Sequence, residues 1–384
     1  MFAERKRLVK SILLIAAAAF LLMGGVFVWR FHLSLPMHVV SAGMSHTVAI
    51  ADDGSLWAWG FGSLLGNGAT RSESRPVPIG IDRAWASASA GNSHTVAIRT
   101  DGSLWAWGEN RFGQLGDGTN DDRTTLVQIG TDNDWASVSV GREHTVAIRT
   151  DGSLWAWGSN GSSQLGDGTQ DDRTTPVQIG TDRNWASIAA GFSETVAIRT
   201  DGTLWAWGSN ARGQLGDGTR DGSSTPIQVG TDRDWASVSV GLLHTVAIST
   251  DGSLWAWGDN SAGQLGDGTE VSSMIPVQIG TDRNWASASA GWAHTVAIRT
   301  DGTLWAWGSN ISGQLGNDIE RSVIPVQIGT DSDWVSVSVA TAGTHTLAIR
   351  ADGSLWVWGW NAFGRLGDGP GEHIRYTPVR ILGP

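Results

Sequence analysis

Histidine recurs at positions 46, 94, 144, 244, 294 and 345, and Glu194 stands where a seventh would fall. Imidazole and carboxylate are the groups that ligate metals and move protons near neutral pH. These seven lie one to each of seven sequence repeats, and a metal site would need several units to bring ligands within ~2 Å of one ion. The spacing instead predicts structural side chains, each hydrogen-bonded to the neighbouring unit. A second polar set sits in Gly-Asp-Gly-Thr-Asn-Asp-Asp-Arg, with Asp117, Asp121 and Asp122. It lacks the alternating acidic ligands and closing Glu of a helix–loop–helix calcium site, and turn chemistry explains it better. The chain has no cysteine, which excludes thiolate sites and disulfides. Residues 37–384 contain no lysine, which excludes a Schiff base or a phosphate-loop lysine there. Neither Gly-x-Ser-x-Gly nor His-Glu-x-x-His occurs. A catalytic site should break the repeat, and none does so convincingly. The reading is a non-enzyme with no cofactor and no bound metal.

Binding chemistry is signalled where the repeats differ. The dipeptide ahead of His-Thr varies freely: Met44-Ser45, Asn92-Ser93, Arg142-Glu143, Phe192-Ser193, Leu242-Leu243 and Trp292-Ala293. Its flanks are nearly uniform. Apolar residues at turn tips of adjacent units form an exposed patch, a usual mark of an interaction site, and Arg beside aromatics is the composition of interface hot spots. The candidate partner-binding residues are therefore Arg142, Glu143, Phe192, Leu242, Leu243 and Trp292, with a protein as the partner.

The elements that must position these residues are set by Leu-Trp-x-Trp-Gly, which occurs seven times at intervals of 48, 50, 50, 50, 50 and 51 residues. A period of that size decides the fold. Each unit holds four short apolar runs bounded by Gly, Asp and Pro, as at Trp135–Val140, His144–Thr150, Ser153–Gly158 and Pro176–Ile179. The Asp-Gly between the second and third runs predicts a tight type I′ hairpin. Seven four-stranded antiparallel units predict an all-β, seven-bladed propeller. Twenty of the 23 Trp fall at repeated strand positions and read as core. Indoles such as Trp155 and Trp157 are expected to settle against small first-strand residues such as Ser137 and Ser139 of a neighbouring blade. Every length change falls in the first-to-second or third-to-fourth connections, which share one face of an up-and-down blade, here called the top.

The first 36 residues differ. A basic tail, 1–10, carries Arg5, Lys6, Arg7 and Lys10, and precedes the uncharged Ser11–Trp29. Nineteen such residues suffice to cross a bilayer as a helix. Basic residues ahead of the segment predict a signal-anchor at 11–29 with a cytoplasmic N-terminus, a linker at 30–36, and the propeller, 37–384, outside the cytoplasm. A cleaved signal peptide is the alternative. The repeats hold 21 Arg against 36 Asp and Glu, which argues against nucleic acid as a partner.

The pattern Ala-Gly-x-x-His-Thr-x-Ala-Ile, Asp-Gly-x-Leu-Trp-x-Trp-Gly, Asn-x-x-Gly-Gln-Leu-Gly-Asp-Gly-Thr and Pro-Val-Gln-Ile resembles the regulator of chromosome condensation repeat family over 37–384. The resemblance implies a seven-bladed propeller, and the anchor suggests a bacterial, membrane-bound member. Family members include a nucleotide exchange factor on chromatin, a plant UV-B photoreceptor and a secreted bacterial β-lactamase inhibitor, so no single function transfers. Exchange needs a protruding element for which no unit has room, and the photoreceptor needs indoles where only Trp292 stands. An inhibitor-like use of the face fits the context better. The expected function is a membrane-anchored protein-interaction module at the cell envelope. The alternative is a carbohydrate or cell-wall binding module, with Phe112, Trp292, Trp360 and Phe363 as its aromatics.

Overall fold

A computed structural model of the chain describes residues 35–383. The proposed anchor 11–29 and tail 1–10 lie outside the described residues. Among the described residues no helix is long and apolar enough to cross a membrane.

The described chain forms seven four-stranded antiparallel sheets, each built from four consecutive strands. Blade 1 spans Met37–Pro78, blade 2 Trp85–Gln128, blade 3 Trp135–Gln178 and blade 4 Trp185–Val229. Blade 5 spans Trp235–Gln278, blade 6 Trp285–Gln327 and blade 7 Trp334–Leu382. This is the seven-bladed propeller that the repeat predicts. Alternation of side chains along each strand puts both Trp of the third strand on one face. There Trp207 of blade 4 packs with Val146, Ile148, Leu154 and Ala156 of blade 3, and Trp205 joins at the edge. The second Trp of every pair is fully buried, and the Trp opening blades 2 to 7 are nearly so. Most first Trp of the pairs are half-buried. In blade 3, for example, the Arg149 guanidinium lies 4.2 Å from the Trp155 ring and 4.5 Å from Trp135, and is held by Asp132 at 2.6 Å.

Two local expectations are corrected. The indoles rest on the aliphatic strands of the preceding blade, not on first-strand serines. Those serines instead stitch blades together: Ser139 Oγ accepts from Ala190 N at 2.9 Å, and Ser89 Oγ from Val140 N at 3.0 Å. A hydroxyl that captures an otherwise unpaired N–H is more useful at that seam than empty space. The Asp-Gly turns are three-residue loops, not two-residue type I′ turns. In blade 2 Arg99 N donates to Ser103 O at 3.0 Å across Thr100-Asp101-Gly102, and only the glycine has positive φ, +82°. Asp101 stays right-handed because its carboxylate turns forward to accept from Ser103 N and Oγ. A Cβ on Gly102 would fall 2.1 Å from Asn133 O, so the next blade's approach enforces glycine there.

The ring closes without strand exchange. Met37 N donates to Gly353 O at 2.9 Å, repeating the Trp85–Gly54 bond between blades 1 and 2. Ala42 N donates to Ser338 Oγ at 3.0 Å, and Thr47 Oγ1 to Arg365 O at 2.8 Å, again as at other seams. One substitution is specific to closure. Arg365 stands where Gln114, Gln164, Gln214, Gln264 and Gln314 stand in the middle blades. Its buried guanidinium donates to Trp360 O at 2.8 Å, to Thr344 Oγ1 at 3.1 Å and to Met44 O of blade 1.

Candidate functional site

The first-to-second connections gather on the top face around the propeller axis. Gly141 N donates to His144 O at 2.9 Å, closing a tight turn whose tip is Arg142-Glu143. A Cβ on Gly141 would lie 2.5 Å from Gly191 O of the next blade, so the tips touch through glycine. Arg142 N donates to Gly191 O, Leu242 N to Gly291 O and Met44 N to Gly91 O, each at 3.1 Å. Each of these three tips therefore leans onto its successor, and the variable dipeptides form an annulus.

The structure places the six candidates unevenly on this annulus. Trp292 is 37% exposed, whereas Phe192, Leu242 and Leu243 are half-buried. Phe192 is covered by the Arg142 guanidinium, 4.4 Å from its ring centroid, and Arg142 also pairs with Glu143 at 3.5 Å. Arg142 and Glu143 stand between Phe192 of blade 4 and the closing side of the annulus. They line a cavity of about 300 Å³ together with Met44, Phe61 and Phe363 of blades 1 and 7. Phe61 and Phe363 meet edge-on at 5.1 Å, and Phe363 is 46% exposed with φ of +58°. A non-glycine residue held left-handed stores strain, and such strain concentrates at functional sites. Sequence reasoning did not join Met44, Phe61 and Phe363, because they come together only at the closing seam. The available signal was that blades 1 and 7 depart furthest from Asn-x-x-Gly-Gln-Leu in the third-to-fourth loop, with Phe61-Gly-Ser-Leu-Leu65 in one and Asn361-Ala-Phe-Gly-Arg-Leu366 in the other.

The first-to-second connection of blade 7 is longer than the others, with 11 positions from Trp334 to His345 against 9 from Trp285 to His294. Thr341 reaches past blade 6 and donates to Val240 O of blade 5 at 3.4 Å.

The histidine ring is structural. His46, His94, His144 and His244 pair through Nε2 with Thr95, Thr145, Thr195 and Thr295 of the following blade at 2.7 to 3.0 Å. All are fully buried. Burial lowers His94, His144 and His294 to about 3 and His46 and His244 to about 4, so the ring is uncharged at neutral pH. Glu194 breaks the pattern, since its carboxylate accepts from Ser193 N at 3.0 Å within its own blade. Burial pushes it up to about 8 against that bond, so it is protonated at neutral pH. The acidic loops serve turns. Burial pushes Asp117 up, but Thr119 and Arg123 outweigh it and hold the carboxyl below its ordinary value. Among the described residues no group of His, Asp and Glu is arranged to hold a metal ion.

With this geometry in place, comparison with known proteins identifies the architecture. No curated protein matches the chain. Human WBSCR16 superposes with a TM-score of 0.77 at 21% identity, over 86% of this chain and 94% of that one. Yeast RCC1 (Prp20), solved bound to Kap60, gives 0.76 at 21% identity, over 92% and 86%. Prp20p from Saccharomyces cerevisiae, described with its binding properties to Gsp1p and histones, gives 0.76 at 22% identity, over 92% and 88%. These likenesses show the fold. The model of the RCC1-like domain matches residues 30–241, more than half of the chain. The regulator of chromosome condensation (RCC1) repeat matches 251–298, 301–349 and 352–384, and a second model of that repeat matches 235–264, 285–314 and 337–365. Seven blades, a shared repeat and a matching domain together show that the chain belongs to the RCC1-like repeat family.

Proposed function

We propose that this protein is a membrane-anchored interaction module whose propeller stands outside the cytoplasm and binds a protein partner through its top face. The observation that carries the reading is the annulus itself. Met44, Trp292 and Phe363 expose 42%, 37% and 46% of their surface at loop tips, and Phe192 and Leu242 stand half-buried at the position of Met44 and Trp292 in blades 4 and 5. Large exposed apolar side chains beside Arg142 and Glu143 supply anchors and a polar rim, the anatomy of a protein interface. The fold serves protein binding in a relative, since yeast Prp20 was solved bound to Kap60. The anchor at 11–29 and the export of the propeller rest on the sequence, through the length of the apolar segment and the basic residues ahead of it. The linker 30–36 is seven residues, at most about 25 Å when extended, and keeps an anchored propeller near the bilayer.

The carbohydrate-binding alternative draws less support. Phe112 lies half-buried under Arg111 at 5.2 Å, and Trp360 is flanked by Arg365 at 5.1 Å, so two of its four aromatics are already engaged. In-cell photo-cross-linking tests the proposal on the full chain. A photoreactive residue at Trp292 or Phe363 is expected to give discrete protein adducts, and one at Thr231 on the bottom face none. Adducts of the same pattern from both faces would defeat it, as would top-face adducts that consist of glycan alone.

A further inference from the structure

Outside the annulus, the fourth strands carry a second break in the repeat. At the exposed outer edge blades 2, 3 and 4 present Thr125, Thr175 and Thr225, whereas blades 5 and 6 present Ile275 and Ile324. Both isoleucines are more than half exposed. One position earlier, Thr124, Thr174 and Ser224 give way to Met274 and Val323. In the loop before, Asp121, Asp171 and Asp221 give way to Val271, which is 71% exposed. Seven copies of one unit serve as internal controls, and threonine suffices for the fold at these positions. Exposed apolar substitutions confined to neighbouring blades therefore point to contact with another molecule.

The substitutions lead into a groove of about 590 Å³ at the top outer edge between blades 6 and 7. Its apolar wall is Ile311, Ile319 and Tyr376, exposed by 68%, 38% and 46%, and its charged lining is Asp318, Glu320 and Arg321. Arg321 is already paired with Glu270 of blade 5 at 2.6 Å, which joins the groove to the Val271 loop. Asp318 and Glu320 have no ionic partner among the described residues. Strand addition at this edge is disfavoured. Ser322 Oγ donates to Ile324 O at 2.6 Å and accepts from Ile324 N at 3.3 Å, occupying the backbone groups an added strand would use. Pro325 follows. Recognition must then run through side chains.

We infer that this rim groove is a second docking site, independent of the top face, for an amphipathic helical segment of a partner protein that lays apolar residues on Ile311, Ile319 and Tyr376 and basic residues against Asp318 and Glu320. The repeats carry a net charge of about −15, so a basic segment is also steered towards the molecule as a whole. The local contribution has to be separated from that general attraction.

Tyr376 is the chain's single tyrosine, so 3-fluorotyrosine labelling gives one fluorine resonance, located in the groove. Full-length labelled protein is titrated with a Lys/Leu amphipathic helical peptide, with its Glu/Leu counterpart and with anionic lipid vesicles. The proposal expects the resonance to move with the Lys/Leu peptide alone. Ile311→Ser with Ile319→Ser should weaken that binding by about tenfold, the scale for losing central apolar anchors. Asp318→Asn with Glu320→Gln should weaken it severalfold without disturbing the fold, both residues being at the surface. Asp121→Asn with Asp171→Asn removes the same charge from blades 2 and 3 and should leave binding within about twofold, as expected for distant rim charges. An unmoved resonance, an equal response to both peptides, equal weakening by the control pair, or movement with vesicles alone would each overturn the proposal.

Discussion

Ser163 shows how tightly single residues are held to the repeat. It has φ of +62°, where Gly113, Gly213, Gly263 and Gly313 occupy the same place at +72° to +78°. A left-handed non-glycine residue costs roughly 1–2 kcal/mol, partly offset by the lower backbone entropy of serine in the unfolded chain. Ser163→Gly should therefore stabilise the protein by about 1 kcal/mol, read from the urea midpoint. The buried ring titrates with opposite signs at its two residue types. Its histidines have folded values near 3 to 4 against an ordinary 6.5, so the stability they contribute is complete above pH 6.5 and is lost as pH falls from there towards 3. Glu194 has a folded value of about 8 against 4.5, so its contribution is complete below pH 4.5 and is lost as pH rises to 8. Unfolding followed across pH should show Glu194→Gln gaining on the native protein between pH 4.5 and 8 and holding a constant lead above. A flat difference would mean that the carboxyl is hydrated in the folded state.

At the scale of elements the closing seam and the seam between blades 4 and 5 stand apart. The latter lacks two inter-blade bonds, because Ala189 replaces the stitching serine and Glu194 the bridging histidine. The closing seam keeps the Ser338 and Thr47 bonds, lacks the bridging bond because His345 Nε2 has no partner, and adds Arg365. Burial lowers its guanidinium to about 10, still protonated at neutral pH, and three oxygens satisfy it without a carboxylate. Arg365→Ala would strand those acceptors and should cost about 3 kcal/mol, since each unsatisfied buried polar group costs ~1–3 kcal/mol. Arg365→Gln, the residue of the middle blades, should cost less. Equal midpoints for the two variants would show that the clasp to Met44 and Thr344 contributes nothing. The blades themselves were legible in the sequence because Leu-Trp-x-Trp-Gly and Asp-Gly combine strand periodicity with turn chemistry. The clasp was not, although an arginine at a position that is glutamine in five blades marked it. Its meaning depends on Met44, 321 residues away. The three-residue form of the Asp-Gly turn was hidden for a different reason. Whether Asp joins the left-handed pair or turns its carboxylate forward is decided by the following Ser or Thr, which accepts that role in each blade.

At the scale of the whole molecule, repetition made the fold readable and obscured the site. Residues that vary among seven copies stand out, and Arg142, Phe192, Leu242 and Trp292 were found in that way. Which variable residues share a cavity depends on how the ring closes, so Met44, Phe61 and Phe363 emerged only from the structure. Export is tested by labelling. The chain is free of cysteine, so Ala211→Cys on a top loop introduces one reactive thiol. A membrane-impermeant maleimide is expected to modify it in cells whose cytoplasmic membrane is sealed, and protection until lysis would contradict the orientation. The central claim, that the top face is where a partner binds, is met most directly by the cross-linking comparison of Phe363 and Trp292 with Thr231. The account predicts discrete protein adducts from the two top-face positions, abolished by Met44→Ser with Trp292→Ser introduced beside the Phe363 probe. Adducts that survive that pair, or that form equally from Thr231, would contradict it.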